Sequence, residues 1–204
     1  MRMLPTIGMT HTGCQPHDTI HPTTTLDVGE LAAYRRGMSG GILPINEFYQ
    51  ALPSKGGLLG LDLGTKTIGI ATSDRSRTIA GSRKTMTKGK FGRDADALAD
   101  LIATDELIGV IIGDPVNMDG SIGPRAQSSR AFARNLATKL GLPVALWDER
   151  LSTAEAERTL ISAGLSRARR AEVIDSTAAA IILQGALDRM KEFDGDKEFD
   201  GGCA

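Results

Sequence analysis

The chain has 204 residues, 41% of them hydrophobic, and a formal net charge of −1 at pH 7. This length suffices for one domain with some chain to spare, and the near-neutral balance excludes the strong overall field of a highly basic nucleic-acid binder, although a local basic patch stays open. Because no stretch is apolar for long enough to span a membrane, no signal pattern opens the chain and its two cysteines lie near opposite ends, we expect a cytoplasmic protein with reduced thiols.

The two ends of the chain differ from its middle. Residues 1–45 mix Thr, His, Pro and Gly without apolar periodicity, so we expect a disordered N-terminal extension, within which Met38 is an alternative start. Residues 46–56 are predicted to form a short helix and a linker. Residues 191–204 repeat the unit Lys-Glu-Phe-Asp-Gly and are predicted to be a disordered acidic tail.

Residues 57–190 show the pattern of one folded domain. Strands are predicted from short apolar runs bounded by turn residues; they are Leu58–Gly64, Thr67–Ser73, Thr78–Thr85, Leu107–Gly113 and Pro143–Glu149. Helices are predicted from apolar residues at helical spacing and from capping signals; they are Asp94–Ala103, Pro124–Leu140, Ser152–Ala163 and Ala171–Met190. Three sequential strands, followed by strands that alternate with helices, predict an α/β fold in which helices flank a mixed central sheet.

Three carboxylates stand where this pattern predicts burial. Asp62 lies in the middle of the first apolar strand, and Glu149 closes the last one, with Asp148 beside it. Asp175 begins a helical stripe that continues with Ala178, Ala179, Ile182 and Ala186. An ionised acid is costly to bury unless it is paired, neutralised or bound to a metal, so each of these positions needs a physical reason.

A shared metal site is one reason for all three acids. Asp62, Glu149 and Asp175 would repel one another in one pocket, and divalent cations that bridge them would remove the repulsion. Oxygen ligands favour Mg²⁺ or Mn²⁺, and paired ions about 3.5–4 Å apart can activate water and stabilise the leaving oxygen in phosphodiester cleavage. The spacing therefore predicts a metal-dependent phosphoryl-transfer site. A structural role stays open, since an acid in the first turn of a helix also favours the helix dipole.

Four blocks of the sequence, in order, resemble the YqgF family, also called RuvX or Holliday junction resolvase-like proteins. They are "GLDLGTKTIGIATSD" from Gly60, "GDPVNMDGSIGPRA" from Gly113, "DERLSTAEAERTL" from Asp148 and "VIDSTAAAIILQGALD" from Val173. The resemblance covers about residues 57–190 and implies a ribonuclease H-like fold with a metal-ion nuclease centre on the sheet. Family members are described as nucleases that mature the ends of pre-16S ribosomal RNA, and earlier as possible junction resolvases.

The resemblance also assigns roles to individual residues. Asp62 matches the family's first-strand aspartate, Glu149 the glutamate of its Asp-Glu-Arg block and Asp175 its helix aspartate, which implies that these three are catalytic and bind Mg²⁺ or Mn²⁺. Asp114 departs from the pattern, because the family usually has an apolar residue before Pro115. We expect a surface substitution at this position, and an additional acid of the metal site is the alternative.

Several cations and polar residues are predicted to contact nucleic acid. Arginine forks suit phosphate oxygens, the hairpin turn lies beside Asp62, and the glycine-rich loop from Gly113 to Gly123 is expected to border the cleft. The candidates are Thr65, Lys66, Asn117, Arg125, Arg130, Arg150, Arg167, Arg169 and Arg170. Ordinary solvated helix faces are the alternative for the arginines. The expected partner is precursor ribosomal RNA or a ribosomal particle, and the oligomeric state stays open.

Three functions therefore compete at this point. The first is a metal-dependent nuclease that processes the end of pre-16S ribosomal RNA, with a four-way DNA junction as the alternative substrate. The second is a nucleotide-binding ATPase of the sugar-kinase and actin type, which shares an Asp-x-Gly-Thr hairpin but needs a second similar domain that this chain is too short to hold. The third is a binding module for nucleic acid that has no catalytic activity.

Overall fold

The computed structural model describes residues 40–151 and 178–193. Its strands are β1 Ile42–Leu43, β2 Leu58–Leu63, β3 Thr67–Ser73, β4 Ala80–Ser82, β5 Met86–Thr87, β6 Gly109–Asp114 and β7 Val144–Asp148. Its helices are α1 Ile45–Ala51, α2 Phe91–Thr104, α3 Pro124–Leu140 and α4, which covers 178–193. A single 3₁₀ turn, Glu149–Leu151, follows β7.

The strands form one mixed sheet in the order β1-β7-β6-β2-β3-β4, with β5 also paired to β3. The tight turn after β2 makes β3 antiparallel to it, and β4 and β5 are antiparallel to β3 in turn. Helices connect β6 and β7 to the rest, so these strands run parallel to β2, as crossover connections require. The predicted mixed sheet flanked by helices is confirmed, and it agrees with the ribonuclease H-like fold that the resemblance implies.

Three details of the strand prediction were wrong. Residues 1–45 were expected to be disordered throughout, but Ile42–Leu43 form an edge strand parallel to the start of β7. This strand is too short to show a period of two in the sequence. Of the strand predicted at Thr78–Thr85, only Ala80–Ser82 is a strand, β4; β5 lies just beyond the predicted range, and the two short strands pair with different parts of β3. Glu149 was placed inside the last strand, and it begins the 3₁₀ turn after it.

Alternation along β2 divides its side chains between two core layers. Leu59, Leu61 and Leu63 belong to the layer beneath α2 and α3. Leu58 belongs to the layer beneath α1 and α4, and the period of two places Gly60 and Asp62 on that same face. The carboxylate in the apolar strand therefore faces the side of the sheet that α4 covers.

Helix α4 confirms part of the predicted apolar stripe. Ala179, Ile182 and Ala186 are all buried against the sheet, as the spacing predicted. Asp175 itself, the part of the predicted helix Ala171–Met190 that precedes residue 178, and the helix predicted at Ser152–Ala163 lie outside the described residues. Within the part of the chain that the structure describes, no helix is long and apolar enough to cross a membrane.

Candidate active site

Asp62 lies at the carboxyl edge of the parallel strands, where β2, β6 and β7 end side by side. Its side chain is half-buried on the face covered by α4. Two residues earlier, a Cβ on Gly60 would lie 2.7 Å from the Cβ of Leu183, so the missing side chain lets α4 pack directly on the strand. Ligand sites of α/β sheets form at this edge, because loops and helix ends converge there.

Glu149 reaches the same place from β7 because Gly113 has no side chain. The parallel register pairs Leu61 with Ile112, so Asp62 and Gly113 are neighbours one residue further on, at the usual spacing of about 4.8 Å between strands. A Cβ on Gly113 would collide with Oε1 of Glu149 and would lie 3.3 Å from its Cδ and 2.7 Å from Cδ1 of Ile182. The Glu149 carboxylate thus lies over β6 and next to the position of Asp62.

The electrostatics of Glu149 reflect this position. Burial and, next, the negative charge of Asp62 raise the pKa of Glu149 to about 7 from its ordinary value of 4.5. The guanidinium of Arg125 acts in the opposite direction, whereas Asp114 and Asp148 add to the increase. With a pKa of about 7, Glu149 keeps its proton up to near neutral pH, and a cation that bound its carboxylate would displace that proton.

The donor set fits a hard divalent ion as far as it is described. Asp62 and Glu149 supply carboxylate oxygens, which Mg²⁺ and Mn²⁺ prefer. Among residues 40–151 and 178–193, no group of three or more His, Cys, Asp or Glu side chains is arranged to hold a metal. The third predicted ligand, Asp175, lies outside these ranges, and in the sequence it stands seven residues before Ile182, which packs over Gly113.

Asp114 is not the surface substitution that the sequence predicted. It is the last residue of β6, it is only 5% exposed and it points to the α3 side of the sheet. Arg130 of α3 donates to it through Nη2 at 2.7 Å and Nε at 3.0 Å. This pairing satisfies a carboxylate that burial would otherwise make costly, and it engages an arginine that was predicted to bind nucleic acid.

Arg150 is engaged in a similar way. Its backbone N–H and its Nε each donate to Oδ1 of Asp148 at 3.0 Å. The hydrogen bonds from Arg150 hold the pKa of Asp148 below its ordinary value. Asp148 directly precedes Glu149, but the two acids differ: Arg150 pairs with Asp148 and lowers its pKa, whereas the pKa of Glu149 is raised.

The other predicted contacts lie on exposed turns around the site. Thr65 and Lys66 are exposed in the β2–β3 turn, and Arg125 is exposed in the first turn of α3. Asn117 helps to shape its own loop, because its Nδ2 donates to Oγ of Ser121 at 2.9 Å. Arg167, Arg169 and Arg170 lie outside the described residues.

Sequence reasoning missed the role of Gly113. It was placed at the end of the predicted strand Leu107–Gly113 and was also taken as the first glycine of a surface loop, whereas it is a buried residue inside β6. The signal that was available is a glycine at the end of a wholly apolar run, directly before an acid. A glycine at such a point often marks a close approach by another group, which here is Glu149.

Comparisons with known proteins agree with the resemblance seen in the sequence. Residues 56–189 match the RuvX family, which is described as Holliday junction resolvase. A relative from Jannaschia sp. (strain CCS1), named "Putative pre-16S rRNA nuclease", is 59% identical over 150 residues, which are 72% of this chain and 94% of that protein. A relative of the same name from Bradyrhizobium sp. (strain BTAi1 / ATCC BAA-1182) is 56% identical over 153 residues, 75% of this chain and 95% of that protein. A solved structure, T. thermophilus RuvC in complex with Holliday junction substrate, matches 67% of this chain and 96% of its own with a TM-score of 0.47 and 14% identity.

Proposed function

This chain belongs to the RuvX family, and from that premise we propose that it is a metal-dependent nuclease that processes the end of pre-16S ribosomal RNA. Phosphodiester hydrolysis follows from the family and from its named nuclease relatives. The proposal adds the substrate, the cytoplasm as the place of action and the residues of the site. The ion is Mg²⁺ or Mn²⁺, because the available donors are carboxylate oxygens.

One observation supports this site above all others: Asp62 of β2 and Glu149 of the turn after β7 come together at the carboxyl edge of the sheet, where the charge of Asp62 disfavours that of Glu149. A fold that needed only stability would not place two acids together there without cations to balance them. In the proposed site, Asp62 and Glu149 would hold the metal together with Asp175, which is included because it matches the helix aspartate of the family pattern.

The residues around the two acids have separate tasks in this proposal. A bound ion would activate water and stabilise the departing oxygen of the phosphodiester. Glu149 would give up its proton on binding the ion, and Arg125, whose charge already acts on Glu149, would face the phosphate that is cleaved. Lys66, exposed in the hairpin turn four residues after Asp62, positions the neighbouring backbone.

Substitution of the acids tests the proposal, and Asp148 provides a matched control. Asp62→Asn and Glu149→Gln should each lower Mn²⁺-dependent cleavage of a pre-16S ribosomal RNA fragment by about a hundredfold or more, because each removes a proposed metal ligand. Asp148→Asn removes an equivalent charge next to Glu149, but from a carboxylate that Arg150 already holds, so cleavage should stay within about threefold of that of the unaltered chain. Equal losses in all three variants would contradict the assignment.

Junction DNA is the second candidate substrate, favoured by the description of the family as Holliday junction resolvase. The same variants should be incubated with a four-way DNA junction in parallel with the RNA. If the protein cleaves only the DNA junction and Asp62→Asn abolishes that cleavage, the proposed site is supported and the proposed substrate changes from RNA to junction DNA. Binding of either nucleic acid with no metal-dependent product, even at high protein concentration, would instead favour a module without catalysis.

A further inference from the structure

A run of cations without any acid lies on the opposite side of Asp62 from β6. Residues 75–93 contain no Asp or Glu. Their cations are Arg75, Arg77, Arg83, Lys84, Lys88, Lys90 and Arg93. Over the whole chain the charges nearly cancel, so this segment is a local excess of positive charge that composition conceals.

The arginines of this segment have partners, whereas its lysines form no ion pair with an acid in the part of the chain that the structure describes. Arg75 pairs with Glu106, Arg83 with Asp105 and Arg93 with Asp94. Arg77 donates to the backbone carbonyls of Pro53 and Ser54, at 2.7 Å in each case. The remaining three cations are Lys84, Lys88 and Lys90. No carboxylate of the described residues forms an ion pair with any of them, or with Lys66 in the nearby hairpin turn.

These lysines follow the edge of the sheet toward the candidate site. The backbone N–H of Arg83 donates to the carbonyl of Ile70 at 2.7 Å, and Thr87 pairs with Thr67, so the chain between them runs beside β3 toward its beginning. Lys88 then donates its backbone N–H to the carbonyl of Lys66 at 2.9 Å and its Nζ to the carbonyl of Gly64 at 3.1 Å.

The position of this edge relative to Asp62 follows from the register of the strands. Asp62 pairs with Gly69 of β3, which is level with the passage between Arg83 and Thr87. Two strand spacings, or about 10 Å, separate Asp62 from that passage. This distance is short enough for one strand of nucleic acid that reaches the site to lie along the lysines as well.

We propose that Lys66, Lys84, Lys88 and Lys90, here called the basic flank, bind the phosphate backbone of the nucleic acid whose cleavage site lies at Asp62. The inference rests on the proposed function for the position of the cleaved bond. Cations without acidic partners are free to replace the counterions of phosphates, whereas paired ones must first give up a carboxylate. The basic flank supplies affinity and orientation without reading sequence.

Protection of the sheet edge is the competing explanation. Lysines on an edge strand discourage pairing with other chains, and β4 and β5 both lie beyond β3 at this edge. The two explanations predict different measurements, because edge protection affects self-association and leaves the affinity for nucleic acid unchanged.

The test measures binding of a fluorescein-labelled pre-16S ribosomal RNA fragment by fluorescence anisotropy between about 50 and 200 mM KCl. This range brackets physiological ionic strength and is wide enough to give the slope of affinity against salt. All proteins are full-length and carry Asp62→Asn, so that the RNA is not cut. Lys84→Gln with Lys90→Gln removes two unpaired charges of the basic flank and leaves Lys88, which ties down the hairpin turn. Lys139→Gln with Lys191→Gln is the matched control, because it removes two lysines that are paired with Asp96 and Asp188.

The flank variant should bind about tenfold more weakly at 100 mM KCl, and the slope of log affinity against log salt should become shallower by about 1.4 for single-stranded or 1.8 for duplex RNA. The control should match the unaltered protein in both quantities. A charge-preserving variant, Lys84→Arg with Lys90→Arg, should keep the affinity. If the glutamine variant self-associates in gel filtration, each single substitution is measured instead and should give half the change in slope.

An unchanged affinity and slope in the flank variant would overturn the inference, with or without self-association. Cleavage by the chain with Asp62 intact is measured separately on the same RNA. If that chain cuts nothing while the flank variant loses affinity, the proposed function fails and the basic flank stands. If the chain with Asp62 cuts the RNA while the flank variant binds normally, the inference about the basic flank fails and the proposed function stands.

Discussion

The cations on the two sides of Asp62 differ in whether they are paired with acids. On the β6 and β7 side, Arg130 and Arg150 are each held by an acid, Asp114 and Asp148 respectively. On the β5 side, the lysines of the basic flank form no ion pair with a carboxylate among the described residues. A count of positive charges near a site therefore says little about which of them are available to a phosphate.

The strength of the pairing explains the difference on the β6 side. Arg130 lies against a buried carboxylate, and the hydrogen bonds from it to Asp114 raise the pKa of the guanidinium further. A phosphate that recruited Arg130 would leave Asp114 charged and unpartnered in the protein, which is costly. Lys84 and Lys90 are exposed, so a phosphate that binds them displaces only water and counterions.

Removal of Arg130 is therefore expected to have the largest effect on stability. Arg130→Ala leaves the buried Asp114 without its partner and should lower the free energy of unfolding by about 3 kcal/mol. The affinity of the folded protein for the RNA fragment should stay within about threefold, because this arginine contributes little to a phosphate in the folded state. Urea denaturation measures the first quantity and anisotropy the second.

A double substitution is the control for this prediction. Arg130→Leu with Asp114→Val replaces both partners with apolar groups and should recover most of the lost stability, since no charge is then buried alone. A large loss of RNA affinity in Arg130→Ala, with little loss of stability, would show that Arg130 acts on the substrate and would remove the contrast between the two sides.

The sequence predicted much of the fold because the governing patterns are local. The hairpin of β2 and β3, the buried strand before Asp114 and the bounds of Pro124–Leu140 all follow from apolar runs, turn residues and a proline at the first turn of a helix. The two-residue strand Ile42–Leu43 was missed because its reason is a distant partner, the beginning of β7.

The candidate site was predictable in part for the same reason. An acid within leucines is visible in the sequence, so Asp62 was singled out as a candidate, and Glu149 was singled out at the end of an apolar run. Pairing between distant side chains is not visible there, and so the burial of Asp114 against Arg130 was missed. The Gly113 position that accommodates Glu149 depends on the parallel register of β2 and β6, which no local pattern specifies.

The titration of Glu149 is expected to have a smaller effect on the free energy of unfolding, and it concerns only the β6 and β7 side of Asp62. Its pKa of about 7 in the folded protein exceeds the ordinary value of 4.5. The folded state therefore binds more protons between these values, so Glu149 favours folding fully at low pH and loses this contribution as pH rises through 7. Allowing for solvent screening, we expect roughly 1–2 kcal/mol less stability at pH 8 than at pH 5 from this group.

Urea denaturation in EDTA at pH 5 and pH 8 checks this expectation by difference. Glu149→Gln cannot titrate and should lack that part of the pH dependence, whereas the double glutamine variant of the basic flank should keep it. Addition of Mn²⁺ should stabilise the unaltered protein more at pH 8 than at pH 5, because the ion binds the ionised carboxylate and the folded state. Identical pH dependence in the Glu149→Gln variant and the unaltered protein would contradict the assigned environment.

Release of Arg150 is the smallest expected effect, and it tests the comparison most directly. Asp148→Asn removes the carboxylate that holds this exposed arginine, without adding a cation. If pairing is what withholds an arginine from phosphate, the variant should bind the RNA fragment up to about threefold more tightly, with a steeper salt dependence by roughly one phosphate contact. The denaturation midpoint should hardly change, since the pair is open to solvent. Anisotropy across the same salt range measures this change, and Asp119→Asn is the control, because its carboxylate accepts from Ser121 and forms no ion pair with a cation of the described residues. Equal tightening in both variants would mean that overall charge, and not the freed Arg150, sets the affinity.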